Sequence, residues 1–135
     1  MNFLNRLQPL GLLVLRLALG VIMTAHGWQK IADHMHGITG MMHQLGLSPY
    51  MAYLVVAAEF GCGILIVIGC LTRLAALAIF IDMLVAILKV HLPHGLFASN
   101  GGFEFPLACA AIAFALIFSG AGPIAIDWLW GSKGR

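Results

Sequence analysis

Charged residues are scarce in this chain of 135 residues. Only 9% of them are Asp, Glu, Lys or Arg, whereas 61% are hydrophobic, and a typical soluble domain carries about 25% charged residues. Because so few polar side chains cannot cover a surface that faces water, we expect the chain to lie in lipid. The net charge of +2 includes no basic cluster that could follow a phosphate backbone, so we expect no nucleic-acid partner.

The sequence also lacks a cysteine pair. Cys62, Cys70 and Cys109 form no CxxC motif. On one helix, Cys62 and Cys70 would lie roughly 12 Å apart, which is too far for a disulfide, whose Cα atoms lie within about 7 Å of each other. We therefore predict neither a disulfide framework nor a thioredoxin-like dithiol. No flavin-binding motif is present either, so the chain has no evident electron carrier of its own.

Long apolar runs dominate what is there. A membrane-spanning helix needs roughly 20 apolar residues, and four runs approach that length, at about Leu10–Lys30, Pro49–Gly69, Arg73–Leu92 and Phe103–Ser119. The first run is longer than the ~7–15 apolar residues of a signal peptide, so we interpret it as a retained helix. These runs predict an all-α fold, an integral membrane four-helix bundle that forms a single domain over residues 1–135.

The connection between the first two predicted spans has its own pattern. Apolar side chains recur at helical spacing over residues 31–47, which predicts a short amphipathic helix on the outer membrane surface. Four basic residues fall on the opposite side of the membrane in this topology: Arg6, Arg73, Lys133 and Arg135. The positive-inside rule then predicts that both termini are cytoplasmic.

Several ionisable residues interrupt the apolar runs. They are Arg16, His26, Lys30, Glu59, Asp82, Lys89, His91 and, at the start of the fourth run, Glu104. An Asp, Lys or Arg at the centre of a membrane helix costs roughly 2.5–3.5 kcal/mol, so these groups should face the protein interior and pair. Depth and sign predict that Arg16 pairs with Glu59 or Asp82, and Lys89 with Glu104. At 100° per residue His91 lies about 180° from Asp82, so the two should not face one point.

The order of several short motifs resembles the DoxX family of small four-helix bacterial membrane proteins. The family pattern often has a hydrophobic residue where Asp82 stands in this chain. The matching elements are Arg16 with Gly20, HGWQK at His26–Lys30, EFGCG at Glu59–Gly63, GCLTRLAAL at Gly69–Leu77, Asp82-Met83 with Ala86, His91, GGFEFP at Gly101–Pro106 and GAGPIAID at Gly120–Asp127.

The resemblance implies a location in the bacterial inner membrane and a redox context. Relatives are linked to thiosulfate:quinone oxidoreduction, to resistance against quinones and oxidative stress, and to complexes with superoxide dismutase and a sulfurtransferase. We therefore expect a protein that binds or serves a quinone. Because the chain has no evident electron carrier of its own, we also expect a redox partner protein.

This hypothesis gives the ionisable residues roles. Reducing a quinone requires protons at its carbonyl oxygens, so we expect Glu59, Arg16 and Glu104 to act as the catalytic groups, with the carboxyl groups exchanging protons and the guanidinium stabilising an anion. The expected ligand-binding residues are His26, Lys30, Asp82, Lys89 and His91.

Other functions remain open at this stage. The buried charges would equally serve a non-catalytic scaffold, an assembly factor or a small transporter. Copper is a lesser alternative, because His34, His36 and His43 lie in a Met-rich segment and imidazole with thioether suits Cu(I). A haem held by His26 and His91 is another. Small-residue stripes on the helices predict homo-oligomerisation.

Overall fold

The computed structural model describes residues 2–131, and within that range the chain is all-helical, with no strand. Seven helices follow one another: α1 Asn2–Arg6, α2 Gln8–Ala32, α3 His36–Gln44, α4 Met51–Ile68, α5 Thr72–His94, α6 Glu104–Ser119 and α7 Ile126–Gly131. The ends of α2, α4, α5 and α6 lie within two residues of the predicted apolar runs. The prediction of helices at these positions is therefore confirmed.

Three of these helices are long and apolar enough to cross a membrane, namely α2, α4 and α5. Helix α6 is equally apolar but has only 16 residues. At 1.5 Å per residue it reaches about 24 Å, a little less than the thickness of the hydrocarbon core.

The four apolar helices pack in a closed cycle, in which α2 contacts α4, α4 contacts α5, α5 contacts α6, and α6 contacts α2. Their shared core contains the fully buried side chains of Leu19, Ile66, Ile79 and Leu116, one from each helix. The side chains that all four helices share are therefore apolar.

Glycines allow α2 and α4 to approach closely. A Cβ atom on Gly27 would lie 2.5 Å from the backbone nitrogen of Phe60, and one on Gly63 would lie 2.7 Å from the backbone nitrogen of Thr24. Small residues of this kind let helix backbones meet where lipid provides no hydrophobic driving force. The close contact brings the C-terminal half of α2 and the middle of α4 within side-chain reach of each other.

Helix α3 covers one end of the bundle. Its apolar face, predicted from the spacing of the connection, is buried through Ile38 and Met42 against Ala52 at the start of α4. The chain turns into α3 through His34 and Met35, which both have positive φ values, of 49° and 65°. Such a left-handed pair is strained for residues other than glycine, so the packing of α3 holds it in place.

Candidate functional site

A cavity of about 410 Å³ lies under α3, between the C-terminal parts of α2 and α5 and the N-terminal half of α4. Ligand pockets in proteins typically measure about 300–1,000 Å³, so the space suits a small aromatic ring. Its walls are mostly apolar, with methionines from three helices, and methionine adapts readily to the shape of a ligand. These methionines are Met23, Met41, Met42 and Met83.

Six ionisable side chains also line this cavity. Helix α2 contributes His26 and Lys30, α4 contributes Glu59, and α5 contributes Asp82, Lys89 and His91. The cavity thus brings together all five predicted ligand-binding residues and one of the three predicted catalytic residues, Glu59. Helices α3 and α6 contribute only apolar residues to the lining.

Glu59 is held by a lysine rather than by an arginine. The Lys30 Nζ atom lies 2.5 Å from Glu59 Oε2, and the Glu59 side chain is only 7% exposed whereas that of Lys30 is 23% exposed. This is the single ion pair within the described part of the chain. The predicted pairing of Arg16 with Glu59 or Asp82 is wrong, because Arg16 lies about four turns before Lys30 on α2 and bonds the segment after α6 instead.

Two π-helical turns carry cavity residues. One covers Ala57–Gly61 and includes Glu59, and the other covers Ile87–His91. A π turn adds one residue to the helical repeat, so residues after it lag by about 100° in phase. This lag brings His91 from the far side of α5 to within roughly 80° of Asp82, and both line the cavity. The prediction that His91 could not face the same point as Asp82 is therefore wrong.

Asp82 differs from Glu59 in having a free oxygen. Its Oδ2 atom is buried and has no hydrogen-bond partner among the described residues. A buried polar atom without a partner costs free energy comparable to a lost hydrogen bond. The atom is thus available to a group that enters the cavity.

Both cavity histidines use one ring nitrogen to bond the backbone. Nδ1 of His26 donates to the carbonyl oxygen of Ile22 at 2.9 Å, and Nδ1 of His91 donates to that of Gly101 at 2.7 Å. In the neutral ring Nε2 is then an acceptor. The His26 ring also stacks on Phe105 of α6, with centroids 5.5 Å apart.

Arg16 lies far from the cavity, although it is as buried as predicted. It is 3% exposed, and its Nη1 donates to the carbonyl oxygen of Ala121 at 2.7 Å. It therefore ties α2 to the segment after α6, at the end of the bundle where α5 begins. Arg16 does not line the cavity under α3, and its predicted catalytic role stays a prediction.

Glu104 also stays outside the cavity. Its Oε1 accepts the backbone N–H of Ala98 at 2.7 Å, which closes the loop before α6. The predicted ion pair between Lys89 and Glu104 is wrong, because a backbone donor takes the place of the lysine.

Asp127 has a role that the sequence did not reveal. Its two carboxylate oxygens accept the backbone N–H groups of Leu71 at 2.7 Å and Thr72 at 2.8 Å. A carboxylate at this position satisfies free donors at the start of α5 and complements the helix dipole. No side chain of the preceding residue caps this helix, so Asp127 takes that role from a distant part of the chain. In the sequence, Asp127 is only an acidic residue in an apolar tail. Its partner Thr72 lies 55 residues earlier in the chain, and no sequence pattern links the two.

A second hollow, of about 740 Å³, lies beside this cap, between the start of α5, the end of α6 and α7. It is open to the surroundings, and its one carboxylate, Asp127, is already occupied by the helix start. The smaller and more enclosed cavity is therefore the candidate site.

The predicted copper ligands are not gathered into a site. His34 and His36 lie with ring centroids 6.4 Å apart, and no group of three or more His, Cys, Asp or Glu side chains suited to a metal occurs in residues 2–131. His43, on α3, does not join the other two in such a group.

Comparison with known proteins places this geometry in a family. The DoxX family model matches residues 11–92. The chain is 31% identical to a Bacillus subtilis protein named "Putative oxidoreductase CatD", over 92% of this chain and 90% of that one. It is 30% identical to the Escherichia coli "Inner membrane protein YqjF", over 96% and 99% of the two chains. The chain belongs to the DoxX family.

Membership agrees with the apolar helices and makes this chain a membrane protein. All six ionisable residues of the cavity lie within the part that matches the DoxX model, whereas Glu104 and Asp127 lie beyond it. The chain is also 30% identical to a Haemophilus influenzae protein named "Uncharacterized protein", over 94% of this chain and 96% of that one. No solved structure matches the chain.

Proposed function

We propose that this DoxX protein binds a quinone or quinol in the cavity under α3 and thereby serves a quinone-linked redox process. The observation that carries the proposal is the combination of an apolar space of about 410 Å³ with six ionisable side chains. A quinone ring is itself apolar and carries oxygen atoms that need polar partners. The name of the Bacillus subtilis relative, an oxidoreductase, agrees with a redox role.

The cavity residues supply what a quinone ring needs from a protein. The ammonium groups of Lys30 and Lys89 would stabilise negative charge on a ring oxygen. Asp82 and the free nitrogen of His91 would hydrogen-bond the ring and hold protons, and Glu59 would hold the Lys30 ammonium group at the cavity wall. Reduction of a quinone takes two electrons and two protons, and the sequence contains no CxxC pair or flavin motif. We therefore assign the electrons to a redox partner protein.

We further propose that α2, α4, α5 and α6 form a four-helix bundle across the bacterial inner membrane, with α3 at the outer surface. Arg6 and Arg73 lie at the ends of the helices opposite to α3, which by the positive-inside rule favours cytoplasmic termini. Lys133 and Arg135 lie outside the described residues. In this orientation the cavity is near the outer surface, where a lipid-soluble ring could enter between helices.

Binding to the purified protein tests the proposal. In lipid nanodiscs, a short-chain ubiquinone and its quinol should bind saturably. Ala86→Phe, which places a ring in the cavity wall, should weaken binding by tenfold or more, at least about 1.4 kcal/mol. The matched control is Ala111→Phe, on the exposed face of α6, which should leave the affinity unchanged.

Two results would contradict the proposal. Equal weakening by both variants would mean that the ligand dissolves in the lipid around the protein and does not occupy the cavity. Absence of saturable binding to a folded protein would favour the alternative, a scaffold in which the buried charges join helices. The ion pair of Lys30 with Glu59, which joins α2 to α4, is the observation that supports that alternative.

A further inference from the structure

The two carboxyl groups of the cavity differ in whether they have an ion-pair partner. Glu59 is buried and directs Oε2 at the Lys30 ammonium group, 2.5 Å away. Asp82 has no ion-pair partner among the described residues, and its Oδ2 atom is buried without a hydrogen bond. A ligand that bonded to Glu59 would compete with Lys30, whereas a ligand that bonded to Asp82 would satisfy an atom that lacks a partner.

We infer that Asp82 is the residue that hydrogen-bonds the ring oxygen of the ligand, and that its protonation state selects between quinol and quinone. This inference rests on the proposed function. Glu59 is then a positioning residue, which holds Lys30 at the cavity wall and does not itself contact the ring oxygen.

The selection follows from the donors and acceptors of the two ligand forms. A quinol carries hydroxyl groups that can donate, whereas the carbonyl oxygens of a quinone only accept. An ionised carboxylate only accepts, and a protonated carboxyl group can donate. Ionised Asp82 therefore favours the quinol, whereas protonated Asp82 can bond either form. Raising the pH should thus shift the preference toward the quinol.

Other titratable groups face the same space, so the variant must separate their effects. Helix α2 presents His26 and Lys30, and α5 presents Lys89 and His91 beside Asp82 itself. Helix α4 presents Glu59 to the cavity. The Cys62 thiol of the same helix does not line the cavity but lies close enough to interact electrostatically with Asp82. The lining residues of α3 and α6 are not titratable.

The experiment measures the dissociation constants of a short-chain ubiquinone and of its quinol, under anaerobic conditions, from about pH 5 to about pH 9. In the unsubstituted protein the ratio of the two constants should shift toward the quinol by about tenfold as pH rises, the effect of one hydrogen bond to a charged group. Asp82→Asn should still bind both forms, because an amide donates and accepts, but its ratio should not change with pH.

Two further variants keep the test decisive. Asp82→Ser replaces the carboxyl group by a hydroxyl, which also donates and accepts without titrating in this range, and it serves if the Asn variant does not fold. Glu104→Gln removes a carboxylate that lies outside the cavity and should keep the full shift.

Each outcome has a distinct meaning. A ratio that does not change with pH in the unsubstituted protein, or a shift that persists in Asp82→Asn, would overturn the role of Asp82 and leave the proposed quinone site standing. Loss of saturable binding of both forms in the unsubstituted protein would overturn the proposed function and this inference together.

Discussion

Removing the cation of the buried ion pair should destabilise the protein more than removing both charges. In Lys30→Met the Glu59 carboxylate, whose side chain is 7% exposed, loses its only ion-pair partner. Breaking a buried pair by removing one member typically costs about 3–5 kcal/mol. Because 23% of the Lys30 side chain is exposed, we expect a loss near the lower limit, about 3 kcal/mol in the free energy of unfolding.

The double variant Lys30→Met with Glu59→Met removes the stranded charge as well. Replacing a whole buried pair by apolar residues is often neutral or stabilising, so the double variant should recover most of the loss and lie within about 1 kcal/mol of the original protein. Unfolding in mixed micelles, followed by circular dichroism, gives the free energies. A double-mutant cycle then gives the coupling between the two residues.

The matched control is Lys89→Met, which removes an exposed lysine from the same cavity. Lys89 forms no ion pair among the described residues, so the change should stay within about 0.5 kcal/mol. If the losses from Lys30→Met and Glu59→Met simply add in the double variant, the two residues are not coupled and the reasoning about the buried pair is refuted.

Two further predictions concern the joints of the bundle, and both are measured by the same unfolding assay. Asp127→Ala removes both acceptors at the start of α5 and should lower the free energy of unfolding by about 1–2 kcal/mol. Asp127→Asn keeps one acceptor oxygen and should lower it by less. Equal stability of the original protein and the two variants would contradict the capping role. Gly27→Ala places a Cβ atom 2.5 Å from the backbone of Phe60 and should cost about 1–3 kcal/mol or more. The same change at Gly11, where no atom lies within 4 Å, should be neutral or stabilising by up to about 1 kcal/mol, and an equal loss at both positions would argue against close packing of α2 on α4.

Much of the candidate site could be expected from residue type and position. His26, Lys30, Glu59, Asp82, Lys89 and His91 are unusual because they interrupt apolar runs, and the cost of exposing them to lipid already predicts that they face inward. Their gathering in one cavity agrees with that argument. Arg16 satisfies the same argument by burial at the other end, where a backbone carbonyl is its partner.

The identity of the partners could not be predicted. Arg16 seemed a suitable partner for Glu59 because only sign and approximate depth were available. In the structure Glu59 pairs with Lys30, because glycines let α2 and α4 pack closely. The side of α5 that His91 faces was also predicted wrongly, because an ideal helical repeat contains no π turn.

By itself, the sequence determined the solvent of this protein, the positions of its apolar helices and the small set of residues that lipid would not tolerate. These properties follow from the transfer cost of each side chain and from the length of each run, which are local quantities. Only the tertiary structure decided that Lys30 meets Glu59, that Asp127 caps a helix 55 residues earlier, and that Asp82 keeps a free oxygen in the cavity. Those outcomes depend on distances of a few ångströms between helices, and such distances are set by packing and by local changes in helical repeat.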